Sequence, residues 1–134
     1  MPAASPVNAD LRRQVRRLLD ERSPVDALAS YYALHAPADR ATVVGAPSAA
    51  GGLAGFLVRA RTGMDLFRPL VTYRAQSEAA AVELFRAGLP AGRPVYLTVP
   101  LDLAAWANKH LQVSNAEVHR LYRFRADRHD QGER

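Results

Sequence analysis

Arg40-Ala41-Thr42-Val43-Val44, Leu53-Ala54-Gly55-Phe56-Leu57-Val58-Arg59-Ala60-Arg61 and Phe67-Arg68-Pro69-Leu70-Val71-Thr72-Tyr73-Arg74 are three apolar runs in quick succession. Across them the period changes from helical to strand-like. The first two are separated by Gly45-Ala46-Pro47-Ser48-Ala49-Ala50-Gly51-Gly52, a flexible turn, and the last two by a turn at Thr62-Gly63-Met64-Asp65. Connections this short permit only antiparallel neighbours. A three-stranded meander is therefore the centre of the fold. Pro69 cannot donate to a ladder, so pairing of the third strand starts after it or passes a bulge there.

Helical spacing flanks the meander on both sides. Leu11, Val15, Leu18 and Leu19 share one face of a helix from about Asn8 to Glu21, and Arg12, Arg13, Arg16 and Arg17 cover the other. Ser23-Pro24-Val25-Asp26 reads as a capping box with proline at the first helical position. It opens a second helix carrying Leu28, Tyr31, Tyr32 and His35, which Pro37 ends. Beyond the meander, Ser77 and Glu78 start a helix with Ala81, Val82, Leu84 and Phe85 on its buried side, and Gly88-Leu89-Pro90 stops it. Pro94 to Val99 is apolar enough for a central strand. Pro100-Leu101-Asp102 leads into a helix through Trp106 to about Leu111, and Glu117 to Arg125 reads as a closing strand. The predicted class is α/β (α+β), a mainly antiparallel sheet with helices, in the order ααβββαβαβ. Residues 1–7 are expected to be disordered, 8–126 to form one domain, and 127–134 to be a polar tail.

The 134 residues suit one domain, and 49% hydrophobic content supplies a core. The absence of cysteine excludes disulfides, thiolate metal sites and a cysteine nucleophile. His35, His110, His119 and His129 lack ligand spacing, so no metal site is expected. With no signal-like or membrane-length apolar run, a cytoplasmic protein without membrane contact is expected. The net charge of +5 is carried by arginine, Lys109 being the only lysine. Arg12, Arg13, Arg16 and Arg17 are the candidates for gripping an anion or nucleic acid. Acids interspersed along the chain argue against a nucleic-acid partner.

This order of elements is similar to the GNAT superfamily of acyltransferases, without that family's usual first strand. Leu53-Ala54-Gly55-Phe56-Leu57-Val58 resembles its second meander strand, and Leu111-Gln112-Val113 with Arg120-Leu121-Tyr122-Arg123-Phe124 its late turn and closing strand. The resemblance implies a glycine-rich loop after the third meander strand, where backbone N–H groups hold the acetyl-CoA pyrophosphate at a helix N-terminus. The matching stretch, Arg74-Ala75-Gln76-Ser77-Glu78-Ala79-Ala80-Ala81, has no glycine. Ser77 caps the N–H groups a phosphate would need, and Glu78 adds a like charge. Leu101 and Asn108 fall where the family has an asparagine and a tyrosine general acid. An amide cannot protonate a thiolate leaving group.

The resulting expectation is a GNAT-like domain that binds a small molecule or protein without catalysis or cofactor, as a homodimer through a sheet edge or its first helices. The alternative is an active acetyl-CoA-dependent N-acetyltransferase, with Arg74, Gln76 and Ser77 holding phosphate and Tyr96 or Tyr122 as acid. If the family's cleft persists, Tyr31, Tyr32 and Phe67 lie on its acceptor side. A second alternative is a basic nucleic-acid-binding domain.

Overall fold

The computed structural model describes residues 3–6 (backbone), 8–63, 67–90, 92–113 and 116. Its chain order is β1 (Ala3–Pro6), α1 (Ala9–Arg16), α2 (Ala27–Ser30), β2 (Ala41–Pro47), β3 (Leu53–Ala60), β4 (Leu70–Ala75), α3 (Glu78–Gly88), β5 (Tyr96–Leu97) and α4 (Ala104–His110). The sheet order is β1-β2-β3-β4-β5. The first four strands pair antiparallel, while β5 lies parallel to β4. The class is thus the mixed α/β arrangement expected, with the meander at its centre. No helix among the described residues is long and apolar enough to cross a membrane.

The meander forms because alternate side chains are apolar toward both faces. Ala41, Val43, Phe56 and Val58 point to one side and are covered by Val15 of α1 and by Ala29, Ala33 and Leu34. Val44, Ala46, Leu57 and Val71 point to the other and meet Ala81, Leu84 and Phe85 of α3 and Leu103 before α4. Phe56, Leu57 and Val58, three consecutive residues of β3, have no exposed surface. The core is therefore two apolar layers, one on each face of the sheet. At about 25 cal/mol per Å² of apolar surface, each large side chain buried here contributes about 1.5–3 kcal/mol.

Two close approaches set the seat of α3. A Cβ added at Gly55 would lie 2.9 Å from the Arg74 carbonyl oxygen and 3.1 Å from Leu84 Cδ1. One added at Gly88 would lie 2.7 Å from Leu57 Cδ2. The helix rests on the sheet where side chains are missing.

Several elements depart from the sequence expectations. The segment expected to be disordered contains β1, whose backbone pairs with β2 from Ala3 opposite Gly45 to Pro6 opposite Thr42. Ala-Ala-Ser-Pro has no strand pattern of its own; β2 supplies the template. The predicted order without a leading strand is corrected accordingly. Gly45 is not in the turn but within β2, which runs to Pro47, and Ser48 closes the turn by accepting from Ala50 N and donating its own N–H to Gly52 O. Gly51 and Gly52 take positive φ of 96° and 70° there.

β4 starts at Leu70, just after Pro69, as the missing donor requires. α1 ends at Arg16, yet Leu18 and Leu19 still pack on the core. α2 is entered through a 3-10 turn, Pro24–Asp26, and left through a π turn, Tyr31–His35, closed by Ala36 N to Tyr31 O at 2.8 Å. The Pro94–Val99 run is not central among the described residues. Only Tyr96 and Leu97 pair, at the edge, with Val95, Leu97 and Val99 turned toward the core and Tyr96 and Thr98 outward. The expected closing strand Glu117 to Arg125, with Tyr122, and the polar tail lie outside the described residues.

Candidate functional site

The junction between β4 and α3 is where the resemblance predicts a phosphate loop. Ser77 sits in extended conformation and its Oγ accepts from Ala80 N at 3.1 Å. Ala81 N donates to Ser77 O at 3.1 Å, and Gln76 N donates to Ala54 O at 2.9 Å. Glu78 occupies the first turn. A helix start attracts anions only through donors that remain free. Here a serine cap and a carboxylate occupy that position.

Arg74, the substitute phosphate holder, has a different commitment. It lies on β4 opposite Phe56, on the side of the sheet covered by α1 and α2. Its Nη1 is 3.6 Å from Oδ1 of Asp26, a carboxylate only 3% exposed. Asp26 Oδ2 accepts from Asp20 N at 2.9 Å. The predicted capping box is thus half made: Ser23 Oγ accepts from Val25 N at 3.3 Å, while Asp26 reaches back to the α1–α2 connection instead of Ser23. One buried carboxylate joins that connection to the sheet. Burial of an unpaired charge is costly, so Arg74 is held by Asp26 as much as Asp26 by Arg74.

The other sequence-predicted residues are dispersed. Tyr96 is 48% exposed on β5, with the Arg68 guanidinium 5.9 Å from its ring centre. Tyr31 and Tyr32 meet edge to face at 5.0 Å, Tyr32 partly packed on the core and Tyr31 exposed. Of the four arginines of α1 and its end, Arg12 turns inward and donates from Nη2 to Ala36 O at 2.7 Å. Arg13 pairs with Asp10 at 3.1 Å and Arg16 with Glu21 at 3.6 Å, leaving Arg17 exposed beside them. The arginine row is therefore largely tied to its own surroundings. His35 contacts Glu21 at 3.2 Å, His110 stacks on Trp106, and no cluster among the described residues suits a metal ion.

Two features escaped the sequence reading. Between β4, α3 and α4, Tyr73, Phe85, Trp106 and His110 form a continuous chain of ring contacts with centroids 4.8–5.2 Å apart. The Tyr73 hydroxyl is buried within it without a hydrogen-bond partner among the described residues. Burial, reinforced by the Asp102 carboxylate, pushes its pKa up to about 12. A phenol held neutral this firmly is a poor acid at neutral pH.

The second feature is a cleft of about 310 Å³ where β2 begins and β3 ends, lined by Arg40, Thr42, Arg59, Arg61, Phe67 and Arg93 among others. Phe67 lines this cleft, and neither Tyr31 nor Tyr32 is among its described lining residues. No family model matches the chain, and no curated protein or solved structure matches it either.

Proposed function

We propose that the chain is a GNAT-like domain whose role is binding rather than acyl transfer. The observation that carries this reading is the start of α3: Ser77 caps the amide at Ala80, Glu78 adds negative charge, and Arg74 behind them is engaged with Asp26. A pyrophosphate would have to displace a cap and compete with a buried carboxylate. The strand order, with a meander followed by a parallel pair of strands separated by α3, supports the resemblance. The acid candidate Tyr96 is exposed on β5, the last strand of the sheet among the described residues, and the interior phenol, Tyr73, is held neutral. The test is thiol release from acetyl-CoA over a panel of primary amines. No release above background hydrolysis is expected, and amine-dependent turnover with any acceptor overturns the reading.

A further inference from the structure

The register of β2 with β3 has an electrostatic consequence. Thr42 stands directly opposite Arg59, and the ladder continues through Arg61 N to Arg40 O at 2.9 Å, so Arg40 and Arg61 face each other one step on. Positions two apart on a strand share a face. Arg40, Thr42, Arg59 and Arg61 are therefore corners of one square on the sheet surface, and all four line the cleft. Arg93, from the connection after α3, and Phe67, from the connection before β4, complete it with Pro69 and Pro90.

Like charges directly opposite in a ladder destabilise it. Arg61 is partly occupied by the Asp39 carbonyl oxygen at 3.1 Å, while Arg40, Arg59 and Arg93 make no ion pair among the described residues. Asp39 is the one acid among the described lining residues. Arginines and a threonine lining one cleft suit the oxygens of a phosphate, which each planar guanidinium can grip with paired donors. Phe67, 86% exposed, and the two prolines add an apolar wall beside the charge. The volume suits a small metabolite.

We infer that this cleft binds a small phosphorylated molecule bearing a flat apolar group, of the size of a nucleotide. The inference rests on the binding-domain reading and gives it a ligand class. The site is at the opposite end of β4 from the α3 junction, a separation of roughly 17 Å for six residues of strand. It is thus independent of the predicted phosphate loop.

Isothermal titration with ADP, and with inorganic pyrophosphate as the probe lacking a ring, tests it. One-to-one saturation is expected, with ADP binding more tightly than pyrophosphate. Arg40→Gln with Arg59→Gln weakens ADP by about tenfold or more, whereas Arg13→Gln with Arg17→Gln leaves it unchanged. Without ligand, the first pair melts no lower than the wild type, because repulsion has been removed; ADP raises the wild-type melting temperature and not the variant's. Absence of saturable binding, equal weakening by both pairs, a lower melting temperature for the cleft variant, or preference for a single-stranded oligonucleotide over ADP overturns the assignment. Failure with ADP while acyl transfer is also absent removes the ligand class alone; acyl transfer removes the binding-domain reading whatever ADP does.

Discussion

Removing the Asp26 carboxylate and the Arg74 guanidinium, singly and together, measures whether Arg74 is committed to the fold. Asp26→Ala deletes a buried carboxylate and leaves the Asp20 N–H, which it holds at 2.9 Å, without its acceptor. A charge-assisted hydrogen bond of this kind contributes about 1.5–3 kcal/mol, so a loss of about 2–3 kcal/mol is expected. Arg74→Ala leaves the carboxylate in place. A fully buried pair broken this way costs about 3–5 kcal/mol, but the Arg74 side chain is 45% exposed and the contact is 3.6 Å. Water screens much of the effect, and about 1–1.5 kcal/mol is expected.

The double variant should resemble Asp26→Ala alone, since without the carboxylate the arginine has nothing to neutralise. The coupling energy is then about 1 kcal/mol. Equilibrium unfolding in urea, with a slope of about 1.5–2 kcal/mol per molar, places the Asp26→Ala midpoint about 1–2 M below that of the parent. If Arg74→Ala leaves the midpoint unmoved and the two losses simply add to within about 0.3 kcal/mol, Arg74 is free and the argument for its commitment to Asp26 fails.

Two further outcomes follow from packing and burial. Gly55→Ala directs a methyl at the Arg74 carbonyl oxygen, a backbone atom that cannot swing aside, and should cost about 2–4 kcal/mol; Gly88→Ala meets the far end of the Leu57 side chain, which can shift where a backbone oxygen cannot, so it should be the milder of the two in thermal melts. Tyr73→Phe removes a buried hydroxyl that has no partner among the described residues and should stabilise the chain at neutral pH by about 1 kcal/mol, or about 3 °C in melting temperature. Because folding raises this phenol from 10.0 to about 12, the folded state favours its neutral form: that contribution is complete below pH 10 and is lost as pH rises through about 12. The parent should therefore lose stability over that interval more steeply than Tyr73→Phe, and parallel pH curves, or a destabilised variant at neutral pH, would show that the hydroxyl has a partner.

The meander was legible because its evidence is local: short apolar runs, a glycine turn whose Gly51 and Gly52 have positive φ, and a proline that marks where β4 starts. The start of α3 was equally local, since a serine one residue before a helical pattern has few other uses. β1 was hidden because Ala3 to Pro6 become a strand only when β2 is present to pair with them. The π turn at Tyr31–His35 left no composition signal.

The site was less legible for one reason: its chemistry depends on partners distant in the chain. Asp26 reads as half of a capping box until Arg74, 48 residues later, arrives over it. Arg40-x-Thr42 and Arg59-x-Arg61 look like ordinary polar alternation, and only the register converts them into a patch of like charge. The four arginines beginning at Arg12 attracted attention because they are adjacent in sequence, yet Asp10, Ala36 and Glu21 engage three of them.

The parallel pairing of β4 with β5 gives the molecule a seam. Tyr96 N to Pro69 O at 3.0 Å and Thr98 N to Val71 O at 3.1 Å accompany a ladder of two residue pairs, where β2 and β3 share seven. Opening that seam exposes the edge of β4 without disturbing Phe56 or Val58, which lie in the opposite layer. The amides of β5 should accordingly exchange with solvent through a local excursion, far below the free energy of global unfolding, while those of β3 exchange only when the whole chain unfolds. The stacked rings of Phe85 and Trp106, 5.2 Å apart, are a second tie between α3 and the segment that follows β5, so the seam is not the sole attachment of that segment.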